Sequence, residues 1–96
     1  MIEVRRTAIF ESWFAQLRDV EAKARINIRI RRLSLGNFGD AKPVGNGVSE
    51  LRIHYGPGYR VYFIRRGNEL VILLCGGDKS DQSRVVARAK ELAKEV

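Results

Sequence analysis

The sequence predicts an α+β fold in which helices pack on a mostly antiparallel sheet, in the order β-α-α-β-β-β-α. Three observations carry that reading. Residues 48 to 66, VSELRIHYGPGYRVYFIRR, alternate apolar and polar side chains on either side of a Gly-Pro-Gly loop, the pattern of a β-hairpin. Residues 70 to 75, LVILLC, form an unbroken apolar run suited to a strand covered on both faces. Two stretches before the hairpin and one after the apolar run repeat apolar residues at three- and four-residue spacing, the period of helices docked along one stripe.

Taken in order, residues 2 to 5 are short and apolar enough for an edge strand. Thr7 is placed to cap a helix in which Phe10, Trp13, Phe14 and Leu17 fall on one stripe, with Trp13 expected in the core. Asp19 is placed to cap a second helix, whose apolar stripe is Ala22, Ile26, Ile30 and Leu33 and whose end is Gly36. The pair reads as a helical hairpin. Arg25, Arg29 and Arg32 share another stripe of the second helix, with Lys23 and Arg31 elsewhere on its polar surface. That stripe is either a solvated face or a contact for RNA or the ribosome. Residues 36 to 47, GNFGDAKPVGNG, read as turn chemistry throughout.

In the hairpin, Gly56, Pro57 and Gly58 supply the loop, and setting Tyr55 opposite Tyr59 fixes a register. His54 then pairs with Arg60, Arg52 with Tyr62, and Ile53 with Val61. Because strand side chains alternate, Leu51, Ile53, Val61 and Phe63 share a core face, while Arg52, His54, Arg60 and Tyr62 share the opposite, polar face. A one-residue slip would send the four apolar side chains to solvent, which argues against it. Tyr55 and Tyr59 are expected to brace the hairpin, and Gly67 with Asn68 to turn the chain into the apolar strand. Beyond GGDK, Ser80 is placed to cap a last helix with Val85, Ala89, Leu92 and Val96 on one face and Val86 and Ala93 beside it.

Ninety-six residues suffice for one small domain, residues 1 to 96, and hardly for two. A hydrophobic content of 45% excludes a disordered polyelectrolyte, and no apolar run approaches the roughly 20 residues of a membrane span. The N-terminus, MIEVRRTAIFESWF, lacks the basic start, apolar segment and cleavage site of a secreted precursor, so the cytoplasm is the expected location. The lone Cys75 cannot form an internal disulfide and sits in the apolar run as a small buried hydrophobe. The scattered acids and single histidine give no metal-ligand spacing, and neither a metal nor another cofactor is expected. The formal charge of +7 is rich in arginine, whose planar fork matches phosphate, which points to a polyanionic partner.

The motifs RLSLGNFGD, GVSELRIHYGPGYRVYF and LLCGGDKSDQ, in that order, carry a family resemblance over nearly the whole chain. The sequence resembles the toxins of type II toxin–antitoxin modules of the RelE/ParE superfamily, specifically the compact HigB-like addiction module killer proteins, phage-derived and Gp49-like. The resemblance implies a RelE-like microbial RNase fold, binding to a cognate antitoxin that is acidic or carries a helix-turn-helix, and, for many members, cleavage of mRNA in the ribosomal A site. It also implies positions for the site. Arg52 and His54 fall where ribosome-dependent members carry basic strand residues, Arg60 matches the arginine of the next strand, and Lys79 matches a basic residue after the last strand. Where cleaving members often add a tyrosine or histidine in or near the final helix, this chain has Val85 and Val86.

Metal-independent RNA cleavage needs a base for the 2′-hydroxyl proton, cations for the crowded phosphorane and an acid for the 5′-oxygen. Arginine stays protonated at neutral pH, so Arg52 and Arg60 are cast as phosphate clamps. His54 suits either proton-transfer role, and an adjacent Arg60 would favour a neutral base. Lys79 and Tyr62 are both open as the group at the leaving oxygen. Tyr62 reads equally as a base-stacking aromatic and as a partly buried strand tyrosine. Asp78 and Lys79 also read as an ordinary turn. The resulting function classes are a ribosome-dependent mRNA endoribonuclease that inhibits translation, a DNA gyrase poison of the ParE class, and a non-catalytic nucleic-acid or protein-binding module.

Overall fold

The computed structural model describes residues 1–96. The elements are β1 (Glu3–Arg6), α1 (Ala8–Gln16), α2 (Val20–Ser34), β2 (Ala41–Gly45), β3 (Val48–Ile53), β4 (Tyr59–Arg66), β5 (Leu70–Gly77), a 3-10 turn (Lys79–Asp81) and α3 (Gln82–Ala93). The five strands form one sheet in the order β1-β5-β4-β3-β2. Only the β1–β5 pair is parallel; β2 through β5 are joined as an antiparallel meander. The α+β class and the predicted element order hold, with one additional strand.

Helices cover both faces of this sheet, and each face has its own apolar cluster. Phe10 of α1 and Ile26, Ile30 and Leu33 of α2 pack on Leu51, Ile53, Val61, Phe63, Val71 and Leu73. Val85 and Ala89 of α3 pack on Val48, Tyr62, Ile64, Ile72, Leu74 and Cys75. β5 supplies both clusters, which is why its sequence is apolar at consecutive positions rather than alternate ones. Cys75 lies in the α3-side cluster, where burial pushes its thiol up to about 11.

The helix starts follow the sequence closely. Thr7 Oγ1 accepts from the Phe10 N–H at 3.0 Å and donates to the Leu74 carbonyl at 2.6 Å, so a single hydroxyl caps α1 and ties it to β5. Asp19 Oδ1 accepts from the N–H groups of Glu21 and Ala22 at the start of α2. Trp13 is half-buried against the core and rests over Gly76: a Cβ there would lie 2.4 Å from the indole. Tyr59 meets the same indole edge-on at 6.3 Å, and Tyr55 donates to Asp19 Oδ2 at 2.9 Å, so both tyrosines do brace the hairpin.

Four expectations are corrected. Residues 36 to 47 are not all turn, because Ala41–Gly45 is the edge strand β2, joined to β3 through Asn46 and Gly47. Those two residues have φ of +56° and +77°, the requirement of a type I′ hairpin turn, and the strand before them was hidden by Pro43 and by a bulge that breaks its alternation. The β3–β4 register is shifted by two residues: Arg52 pairs with Arg60, Ile53 with Tyr59 and Glu50 with Tyr62. His54 consequently lies in the loop rather than in the strand. A two-residue shift preserves the faces, so the apolar quartet is on the core side as expected. The polar face, however, is no open basic surface, because α3 covers it and Tyr62 is fully buried there. Finally, Asp78 caps the turn before α3, accepting from the Ser80 N–H and hydroxyl, where Ser80 itself was expected to cap.

Candidate functional site

The Gly56–Gly58 loop, the end of β3, the start of β4 and Lys79, the first residue of the 3-10 turn after β5, line an open pocket of about 440 Å³. Arg52, His54, Arg60 and Lys79 line it together with Tyr55, Gly56, Pro57 and Gly58. Four of the five residues expected to form a site thus converge, and the fifth, Tyr62, does not reach the pocket. Gly58 has φ of +81° and would place a Cβ 3.0 Å from the Lys79 side chain, so the glycine both makes the turn and lets the lysine stem cross it.

Arg60 is the structural anchor of the pocket. It is only 5% exposed, and its Nε lies 3.6 Å from Oε1 of the fully buried Glu50. Neither of those two atoms makes a hydrogen bond. Glu50 Oε2 accepts from the Tyr62 hydroxyl at 3.0 Å and from Gln82 Nε2 at 2.8 Å. Burial, followed by the bond to Glu50, pushes the Tyr62 phenol well above its ordinary value, so it is a fixed donor within the core. That removes Tyr62 as a base-stacking surface and as a proton donor at a leaving group. Arg60 Nη1, at the pocket end of the side chain, donates to the Gly58 carbonyl at 3.3 Å.

A second group of contacts gathers on Asp40, in the loop before β2. Its Oδ1 accepts from Arg52 Nε at 3.1 Å and Nη2 at 2.9 Å, and its Oδ2 is hydrogen-bonded to His54 Nε2. The Arg52 hydrogen bonds, and after them the one to His54, hold the Asp40 carboxyl down at about 2. His54 therefore has a carboxylate as its bonded neighbour, where the hairpin reading paired it with Arg60. Its side chain is 71% exposed. On the α2 side His54 also borders a second depression, lined by Glu21, Arg25, Ile28, Arg29, Arg32 and Ile53. Arg29 is not free there: it donates to the backbone carbonyls of Phe38, Asp40 and Arg52, and burial lowers its pKa. Arg25 pairs with Glu21 and stacks over Tyr55, which leaves Arg32 as the unbonded member of the arginine stripe.

Asp40, Glu50 and Gln82 were not singled out from the sequence. Glu50 carried a legible signal, since it lies two residues before Arg52 and so on the same strand face. Asp40 and Gln82 had none, because both reach their partners from other elements.

Chemically, the pocket of this small α+β protein combines an imidazole, two guanidinium groups and an ammonium group with a half-buried carboxylate at its rim, a set of groups able to pair with phosphate oxygens. No three His, Cys, Asp or Glu side chains are grouped to hold a metal ion, and no helix is long and apolar enough to cross a membrane. The family model described as phage-derived protein Gp49-like (DUF891) matches residues 12–96, and the chain belongs to that family. It is also 53% identical over 95 residues to an uncharacterized protein of Haemophilus influenzae strain Rd, a match covering 99% of this chain and 96% of that protein.

Proposed function

We propose that this chain is the toxin of a type II toxin–antitoxin module, a HigB-like member of the RelE/ParE superfamily that cleaves mRNA on the ribosome without a metal and is neutralised by a cognate antitoxin. The observation that carries the reading is the convergence of Arg52, His54, Arg60 and Lys79 on one pocket, in a chain of the Gp49-like family. In the reaction, His54 takes the proton of a 2′-hydroxyl as its oxygen bonds to the adjacent phosphorus. The bond from phosphorus to the 5′-oxygen breaks, and the Lys79 ammonium returns a proton to that oxygen. The products are a 2′,3′-cyclic phosphate and a 5′-hydroxyl. Arg52 and Arg60 neutralise the non-bridging oxygens, whose charge grows in the phosphorane.

Mapping of mRNA 5′ ends in a translating extract tests this reading. Wild-type protein is expected to give codon-phased cuts that require ribosomes and that vanish in folded His54→Gln and Arg52→Ala variants. Absence of cuts with folded wild-type protein would overturn it and turn attention to gyrase-trapped DNA breaks or to simple binding.

A further inference from the structure

The geometry points to a role for Asp40: we propose that it is a positioning residue that fixes the orientation and tautomer of His54, an inference that rests on the ribonuclease reading. The first argument is that Asp40 is itself held. Its carbonyl accepts from the Arg52 N–H at 3.0 Å and from Arg29 Nη2 at 3.2 Å, so backbone and side chain are both anchored by neighbouring elements. An exposed acid on a free loop could not orient anything, whereas this one is clamped at its carbonyl and, through Oδ1, at its side chain.

The second argument is chemical. An ionised carboxylate accepts hydrogen bonds and donates none, and the two Arg52 nitrogens occupy Oδ1, leaving Oδ2 to face His54. Nε2 must then carry the hydrogen, which leaves Nδ1 with the lone pair. Nδ1 makes no protein hydrogen bond. It is the nitrogen available to take a proton, and the nearby negative charge stabilises the imidazolium that results. Opposing charges surround the pair: Arg25, Arg29 and Arg32 with Glu21 on the α2 side, Arg60 and Lys79 across the pocket. Against that cationic surround Asp40 is the carboxylate in hydrogen-bond contact with the ring.

Asp40→Asn keeps the shape and removes the charge. Because Arg52 retains the amide oxygen, the amide NH₂ turns toward His54 and Nε2 becomes an acceptor, so the ring proton moves to Nδ1. His54 is the sole histidine, and ¹⁵N spectra of the imidazole at a pH of about 9, well above the ordinary value of about 6.5, report its tautomer directly. The expected result is Nε2–H in the wild type and Nδ1–H in Asp40→Asn. On programmed ribosomes kcat is expected to fall by ~10-fold or more while KM stays within about threefold. Asp40→Glu, which keeps the charge, is expected to retain the wild-type tautomer and more activity than Asp40→Asn. Asp40→Ser is a second neutral variant should the asparagine protein not fold. Wild-type cleavage by a folded neutral variant would overturn the inference and leave the ribonuclease reading intact, as would equal losses in Asp40→Glu and Asp40→Asn. If the wild type does not cut, both fail together.

Discussion

Glu50 and Arg60 are the two charged side chains this fold encloses, and that decides which substitutions report on chemistry and which on folding. Removing one member of such a pair strands the other charge in the core. Arg60→Ala is expected to cost ~3–5 kcal/mol in urea unfolding, with the double replacement Glu50→Leu/Arg60→Met costing much less than the sum of the two single changes. Loss of activity in Arg60→Ala is therefore no evidence of a role at phosphate until folding is checked, whereas Arg52, His54 and Lys79 can be changed at the surface. Asp40 gives a pH test of a different kind. Its carboxyl is lowered in the folded state from 3.8 to about 2, so the folded protein favours the ionised form. The stabilisation is present in full above the unfolded value and disappears as pH falls through the folded one. The difference in thermal midpoint between wild type and Asp40→Asn should shrink as pH falls between about 4 and 2. A difference that stays flat across that window would contradict the Arg52 and His54 contacts.

Among the elements, α1 is the one held by the narrowest margin of space. Trp13 lies directly on β5 where Gly76 has no side chain, and the Thr7 hydroxyl bonds both the helix and the strand. Gly76→Ala is expected to destabilise by ~1–3 kcal/mol through displacement of the indole, and Thr7→Ala by ~1 kcal/mol through loss of the cap. Chemical denaturation of each variant checks the order. The helices were legible in the sequence because their signals are local: Thr7 lies three residues before Phe10 of its own helix, and Asp19 three residues before the first member of the stripe Ala22, Ile26, Ile30 and Leu33, which runs along one helix. The sheet was legible only in part. Alternation assigned the faces of β3 and β4 correctly even though the partners were two residues out, since a shift of two leaves every side chain on its own face. β2 was missed because Pro43 and a bulge disguise it, although Asn46-Gly47 announced a hairpin. In the site, strand alternation grouped Arg52, His54 and Arg60, and the family resemblance added Lys79. Of the groups that hold them, Glu50 was legible from its place two residues before Arg52, whereas Asp40 and Gln82 were not, because Asp40 reaches Arg52 and His54 over 12 and 14 residues and Gln82 reaches Glu50 over 32.

At the scale of the whole molecule, a formal charge of +7 on 96 residues sets the terms of association. An acidic antitoxin segment would be drawn to the arginine-bearing face of α2 and to the pocket beside it, and that attraction is screened by salt. The equilibrium constant for such a complex is expected to fall by ~10-fold or more between about 0.05 and 0.5 M salt, by calorimetry or fluorescence anisotropy. Salt-insensitive binding would locate the contact on apolar surface instead. The parallel pairing of β1 with β5 has a consequence for biogenesis. The Thr7 hydroxyl and the Leu74 carbonyl that it meets are separated by 67 residues, so β1 leaves the translating ribosome long before its place in the sheet exists. At ~5–20 residues per second the interval is several seconds, during which α1 has no β5 strand on which to lay its apolar stripe. Lys79, and the α3 helix that seals Glu50, emerge later still. A nascent chain released before Lys79 thus lacks both the last cation of the pocket and the cover of its anchor, and the pocket comes into being only once α3 has followed the sheet.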